Sequence, residues 1–153
     1  MSVELLEQLY EALGRRDGAA MAACYHPVAR FSDPVFTDLR GDEVGAMWMM
    51  LCEQGTDLEV TYRDLSSNGD TGSASVEARY SFGKDRRPVH NQIEAAFVFA
   101  DGKILAHDDT FDLWRWTRQA LGPTGTLLGW SPMVKTQVRE RADAGLRKWM
   151  AER

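Results

Sequence analysis

A chain of 153 residues is long enough to bury most of its apolar surface in one domain. Hydrophobic content of 44% and charged content of 27% describe an ordinary soluble globular protein. A net charge of −5 argues against a general nucleic-acid binder, and no apolar run approaches the roughly 20 residues needed to span a bilayer.

The opening segment, Met1 to Leu13, is rich in Glu and lacks a continuous apolar core, so it does not read as a secretory signal. Cys24 and Cys52 sit in apolar, helix-like surroundings with no CxxC spacing, which predicts buried reduced thiols. Together these features predict a cytoplasmic protein with no membrane and no nucleic-acid partner.

In chain order, Ser2 can cap a helix to about Leu13, with Leu5, Leu6, Leu9, Ala12 and Leu13 as its stripe and Gly14 at its end. Asp17 can cap a second helix through Cys24, stopped by Pro27. A short strand is predicted over Val28 to Ser32, ending at Asp33-Pro34. A third helix starts at Gly41-Asp42-Glu43, uses Val44, Met47, Trp48 and Leu51 as its apolar face, and closes at Gly55.

Four long strands follow, roughly Asp57 to Ser66, Gly72 to Gly83, Val89 to Ala100 and Lys103 to Trp114. Asn68-Gly69, Lys84 to Arg87 and Asp101-Gly102 make the turns. Apolar and polar residues alternate along Val76 to Phe82 and along Gln92 to Phe99, the pattern of an antiparallel meander with one apolar face. The tail predicts a short helix over Arg115 to Leu121 and a Gly-containing apolar loop over Thr124 to Trp130. A final helix is capped by Ser131 with Pro132 at its first position. Its stripe of Val134, Val138, Ala142, Leu146 and Trp149 should pack on the domain or on a dimer mate. Its surplus of basic residues reads as a solvated face ahead of a site for an acidic partner. The expected class is α+β: an antiparallel sheet curved around N-terminal helices, with a cavity between them.

The last strand carries the chemistry. His107, Asp108, Asp109 and Asp112 lie among Ile104, Leu105, Phe111 and Leu113. Alternation puts His107 and Asp109 on one face, beside Leu105 and Phe111, with Asp108 and Asp112 opposite. An imidazole and a carboxylate on an apolar face suggest a pocket floor.

These elements carry a resemblance. Tyr25-His26, then Phe31-Ser32-Asp33-Pro34-Val35, then Gly41 before the third helix, and finally Asp101-Gly102-Lys103-Ile104 followed by His107-Asp108-Asp109 resemble the nuclear transport factor 2-like superfamily. Within it they resemble the branch of SnoaL-like polyketide cyclases and ketosteroid isomerases. The resemblance covers about residues 5–114 of a single domain over 1–153, and it leaves 115–153 as a helical extension. It implies a cone-shaped fold, a small apolar ligand or substrate, no cofactor, and a homodimer formed through the outer sheet face.

It also implies site residues. Asp33 before Pro34 matches the isomerases' catalytic base, and Tyr10 falls at the spacing of their oxyanion-donating tyrosine. Their second donor, a protonated aspartate, would fall near Ala95, which cannot supply it. His107 and Asp109 match the cyclases' His-x-Asp pattern. Tyr25, Phe31, Trp48 and Phe97 are the expected pocket walls.

The residues themselves leave alternatives open. Asp33 is either a desolvated general base or a turn carboxylate accepting backbone N–H groups. His107 and Asp109 are either an acid/base pair or an internal hydrogen-bonded pair. Tyr10 is either an oxyanion donor or core. His26 and His90 lack partners at metal-ligand spacing, and no nucleotide, serine-hydrolase or zinc motif occurs, so no metal is expected. Two functions follow. One is cofactor-free isomerisation, cyclisation or hydration of a small apolar carbonyl compound. The other is a non-catalytic ligand-binding or dimerisation module with a vestigial site.

Overall fold

The computed structural model describes residues 2–153. Helix α1 spans Ser2–Gly14 and buries Leu6, Leu9, Tyr10, Ala12 and Leu13, one face at helical spacing. Asp17 caps α2 (Gly18–Ala22), its carboxylate accepting from the Ala20 N–H at 3.0 Å. Strands β1 (Tyr25–Ser32) and β2 (Leu39–Arg40) precede α3 (Asp42–Gln54). The meander is β3 (Glu59–Asn68), β4 (Thr71–Phe82), β5 (Arg87–Ala100) and β6 (Lys103–Thr110). The tail is helical: α4 (Leu113–Leu121), α5 (Pro123–Leu128) and α6 (Pro132–Ala151).

The six strands form one sheet in the order β2-β1-β6-β5-β4-β3. Neighbours are antiparallel except β1 and β6, which run parallel and set Phe31 beside His107. The sheet curves around α1 and α3. Leu6, Leu9, Val44, Met47 and Trp48 pack there against Phe31, Phe97, Phe99 and Ile104. This is the expected α+β cone.

Several local expectations fail for identifiable reasons. The second helix ends at Ala22 rather than Cys24, and Pro27 lies inside β1 rather than stopping a helix. Pairing with β6 captures the segment: Tyr25 registers with Ile104, and the Ile104 N–H donates to the Cys24 carbonyl at 2.9 Å. Proline has no N–H to contribute to a ladder, and the register slips between Tyr25 and Arg30, where Pro27 falls. Strand β2 was unexpected, being too short to show a period.

The last strand stops at Thr110 instead of Trp114, because Asp112 accepts from the Arg115 N–H at 3.0 Å and starts α4 at Leu113. The predicted loop over Thr124 to Trp130 is mostly helix α5, which begins at Pro123. Its glycines allow it to lie on α4, since a Cβ at Gly125 would collide with the Thr117 carbonyl.

The predicted partners of His107 also change. Phe97 pairs with His107 and Val98 with Ala106, but Phe99 pairs with Ile104, so Leu105 is bulged out of register. Ile104, fully buried, therefore shares the inner face with His107, and Leu105 does not.

The tail packs on the rest of this chain. Leu146 is fully buried in the main core, with Ala142, Trp149 and Met150 against it. A second cluster of Val89, Leu113, Trp116 and Ala120 gathers around α4, with Val35 and Val138 packed on it. Arg147 pairs with Glu43 of α3, and the Trp149 and Arg153 side chains both donate to Glu53 at 2.9 Å. Cys24 and Cys52 are buried free thiols.

Candidate functional site

The site grows from the two parallel strands. Phe31 registers with His107 and Ser32 with Asp108, so Asp33, one residue past the end of β1, arrives beside Asp109. Strand alternation keeps Asp33 on the face of Phe31 and Asp109 on the face of His107, toward the interior. Across β5, Ala95 registers with Asp109. The residue that breaks the isomerase pattern thus stands opposite the acid the cyclase pattern retains, and its methyl leaves that acid room.

His107 has no exposed side-chain surface. Its ring is enclosed by Phe97 at 4.3 Å, Phe31 at 4.9 Å, Tyr25 at 6.1 Å and Trp48 at 6.2 Å between centroids. The four expected pocket walls therefore line a histidine rather than a void. Both ring nitrogens are engaged: Nδ1 with the Tyr25 hydroxyl at 2.8 Å, and Nε2 with Asp109 Oδ1 at 2.7 Å. The Trp48 indole N–H donates to the same Tyr25 oxygen at 2.9 Å.

An indole can only donate, and an ionised carboxylate can only accept. Where Asp109 accepts and the Tyr25 hydroxyl donates, the chain has a direction. Trp48 donates to Tyr25, Tyr25 donates to Nδ1, and Nε2–H donates to Asp109. This assigns the Nε2–H tautomer. Burial holds the Tyr25 hydroxyl well above its ordinary pKa, and the neighbouring Asp109 charge adds to this.

Asp33 closes a turn. Its Oδ1 accepts from the backbone N–H groups of Val35 at 2.7 Å and Phe36 at 2.6 Å. These bonds favour the ionised form, yet burial outweighs them and raises the carboxyl to about 7, with a smaller upward push from Asp109. Some of the residue's surface remains in contact with solvent. Both sequence readings of Asp33 are thus met in one residue, a turn carboxylate that is also desolvated. The Arg139 guanidinium of α6 donates to the next carbonyl, Pro34, at 2.9 Å. The C-terminal extension therefore lies across the loop that carries Asp33.

Tyr10 is buried, stacked on Tyr62 at 5.8 Å and edge-on to Phe97 at 6.5 Å. Its hydroxyl is raised well above its ordinary pKa by burial first and by the Asp109 charge second. Among the described residues no buried side-chain N or O atom lacks a partner. Among the described residues the Tyr10 hydroxyl, Asp33 Oδ2 and Asp109 Oδ2 make no hydrogen bond, and none of the three is fully closed off from solvent.

One neighbour of Asp33 lies outside the expected set. Tyr80 of β4 has its hydroxyl raised by burial and by the Asp33 charge, and it accepts from the Trp116 indole at 2.8 Å. Alternation along β4 puts Tyr80 on the inner face, but no motif marks it. Two surface cavities of about 460 and 560 Å³ flank α1, one toward the Asp101-Gly102 turn and one toward Lys103, and neither includes Asp33 or Asp109. Among the described residues no group of three or more His, Cys, Asp or Glu is placed to hold a metal ion. No helix among the described residues is long and apolar enough to cross a membrane.

Residues 6–107 match the SnoaL-like domain, and the chain belongs to that family. No curated protein matches it in sequence. Among solved structures it is similar to a protein with a ketosteroid isomerase-like fold from Catenulispora acidiphila, in complex with trimethylamine. The TM-score is 0.70 and the identity 14%, covering 84% of this chain and 98% of that one. It is similar to an LEH-like epoxide hydrolase of M. tuberculosis at TM-score 0.66 and 18% identity, covering 84% and 96%. A third is SalBIII, an epoxide hydrolase/cyclase-like enzyme of pyran ring formation in salinomycin, at TM-score 0.64 and 13% identity over 72% and 89%. At these identities the likeness is one of fold: the nuclear transport factor 2-like cone.

Proposed function

We propose that the chain is a cofactor-free acid/base enzyme acting on a small apolar carbonyl compound. The observation that carries this reading is the half-buried Asp33 carboxyl, raised to about 7 just past the end of β1, with Oδ2 unbonded and Asp109 beside it. A carboxylate that changes charge near neutral pH can take a proton from carbon next to a carbonyl and return it elsewhere. The enolate oxygen formed would accept from the Tyr10 hydroxyl, whose high pKa keeps it protonated.

His107 is enclosed and has both nitrogens occupied, so we assign it a positioning role through Asp109 instead of the enolate contact expected of it. Return of the proton at another carbon gives isomerisation. Attack of the enolate carbon on a second carbonyl carbon of the same molecule opens that C=O π bond, and the alkoxide formed takes the proton held on Asp33, which gives cyclisation. The epoxide hydrolase and the ring-forming enzyme among the structural relatives support ring chemistry or hydration at such a site. We take residues 1–153 as one functional unit, with 115–153 covering the mouth of a core over about 5–114, acting in the cytoplasm. A homodimer through the outer sheet face is part of the same proposal, checked by sedimentation velocity.

Two measurements test the chemistry. Mass spectrometry of ligand retained by the purified protein should find a recurring small apolar carbonyl compound. With that compound as substrate, Asp33→Asn and Asp109→Asn should each lower turnover by a factor of about 100 or more. Full activity in both variants would eliminate the mechanism.

A second reading has its own support. Trp48 fills the cone beside His107, and Arg139 ties the extension over the Asp33 loop. Those contacts suit a non-catalytic module with a vestigial site. A protein that retains no ligand, even after Trp48→Ala opens the interior, would favour that module.

A further inference from the structure

The extension carries an unabsorbed feature, an apolar tip with a cationic rim. Leu127, Met133 and Trp130 are 69%, 67% and 60% exposed, and Leu128 and Trp114 join them. They are contiguous. The Trp114 indole N–H donates to the Thr126 carbonyl at 3.4 Å, and the Trp130 indole N–H donates to the Leu127 carbonyl at 2.9 Å. Backbone bonds from Gly129 to Gly125 and from Ser131 to Leu128 hold the tip in a compact turn between α5 and α6. Large exposed apolar side chains gathered on one segment mark an interaction surface.

The charge around the tip selects the partner. From Leu113 to Arg139 the chain has four basic residues, Arg115, Arg118, Lys135 and Arg139, and no acidic one. This stands within a protein of net charge −5. The Arg118 guanidinium lies 4.4 Å from the centre of the Trp114 ring, and Arg115 donates to Gln92; among the described residues neither pairs with a carboxylate. A symmetric dimer through this tip would bring like charges together. A tryptophan and leucines framed by cations suit an interface whose outer layer is anionic and whose interior is apolar.

We propose that the α5–α6 tip is a peripheral docking surface for an anionic lipid bilayer, with Leu127, Leu128 and Trp130 entering the headgroup boundary. Docking would be peripheral, since no helix among the described residues is long and apolar enough to cross a membrane. The proposal stands apart from the acid/base reading, but the two meet in space. Met133 lies in the first turn of the helix whose Arg139, about 9 Å further along its axis, bonds the Pro34 carbonyl. A bilayer at the tip would bring lipid-dissolved apolar compounds next to the Asp33 loop.

The test is co-sedimentation of the whole protein with vesicles of phosphatidylcholine alone or mixed with phosphatidylglycerol. Binding should appear with the anionic vesicles, weaken with salt, and shift tryptophan emission to the blue. Arg118→Gln and Lys135→Gln should each weaken partitioning about five-fold, and the exposed pair Leu127→Ser with Trp130→Ser should abolish it. Brominated lipid should quench emission of the wild-type protein and quench it less in Trp130→Phe, a readout that does not depend on the double variant folding. Absence of binding to anionic vesicles overturns the proposal. So does a dimer that the Leu127→Ser, Trp130→Ser pair dissociates, or capture by polyglutamate but not by lipid. None of these outcomes bears on the turnover of Asp33→Asn.

Discussion

Asp33 shows how opposing effects combine in one side chain. Two short N–H bonds pull its pKa down, and burial pushes it up further, to about 7. The folded state therefore holds a proton that the unfolded chain has lost, between the ordinary aspartate value near 4 and about 7. Because the native state binds more protons there, stability falls as pH rises through that window, by an amount on the order of a few kcal/mol. Asp33→Asn keeps an oxygen for Val35 and Phe36 but cannot ionise. Urea denaturation from pH 4 to 8 should show a flatter stability curve for the variant, and an unchanged slope would refute the assignment. If Asp33 is the base, turnover should rise with pH through about 7 as it ionises.

The Tyr25 hydroxyl links the Trp48 indole to His107. Tyr25→Phe leaves a buried donor and a buried acceptor unpaired, each costing about 1–3 kcal/mol. The midpoint of urea unfolding should drop accordingly, and the nitrogen resonances of the His107 ring, expected to show a single tautomer in the wild type, should show a mixture in the variant.

Among the elements, α5 departs most from expectation. A glycine-containing apolar stretch reads as a loop because glycine weakens isolated helices. Here Gly125 and Gly129 permit close approach to Thr117 of α4, and that tertiary contact stabilises the turn. Gly125→Ala improves local helix propensity, yet its methyl collides with the Thr117 carbonyl. We expect a net loss of about 1–3 kcal/mol and faster amide exchange through α5. Slower exchange would show that local propensity dominates. The α4 start teaches the same lesson in reverse. Asp112 looked like a strand residue by alternation, but its side chain caps a helix.

Over the whole molecule, the extension is part of the core. Leu146 is fully exposed to neighbours on every side and not at all to solvent, and α6 joins α3 through Arg147, Trp149 and Arg153. Leu146→Ala should cost about 2–5 kcal/mol in a single cooperative transition followed by circular dichroism. A separate early transition for the tail would show that residues 115–153 fold apart from the cone.

Periodicity and turn chemistry made the cone legible in the sequence. Period-two alternation in β4 and β5, Asp101-Gly102 between β5 and β6, and caps at Asp17 and Ser131 are local features that the chain encodes within a few residues. The resemblance marked Asp33, His107 and Asp109 for the same reason, since each lies in a short motif. Three-dimensional arrangement decided the rest. Parallel pairing of β1 with β6 brought Asp33 to Asp109 across more than 70 residues of chain and drew Pro27 into a strand. A one-residue bulge at Leu105 exchanged it for Ile104 beside His107. The enclosure of His107, the pKa of Asp33 and the exposure of the α5–α6 tip all depend on which surfaces the helices cover. Burial belongs to the packed molecule, and no window of sequence contains it.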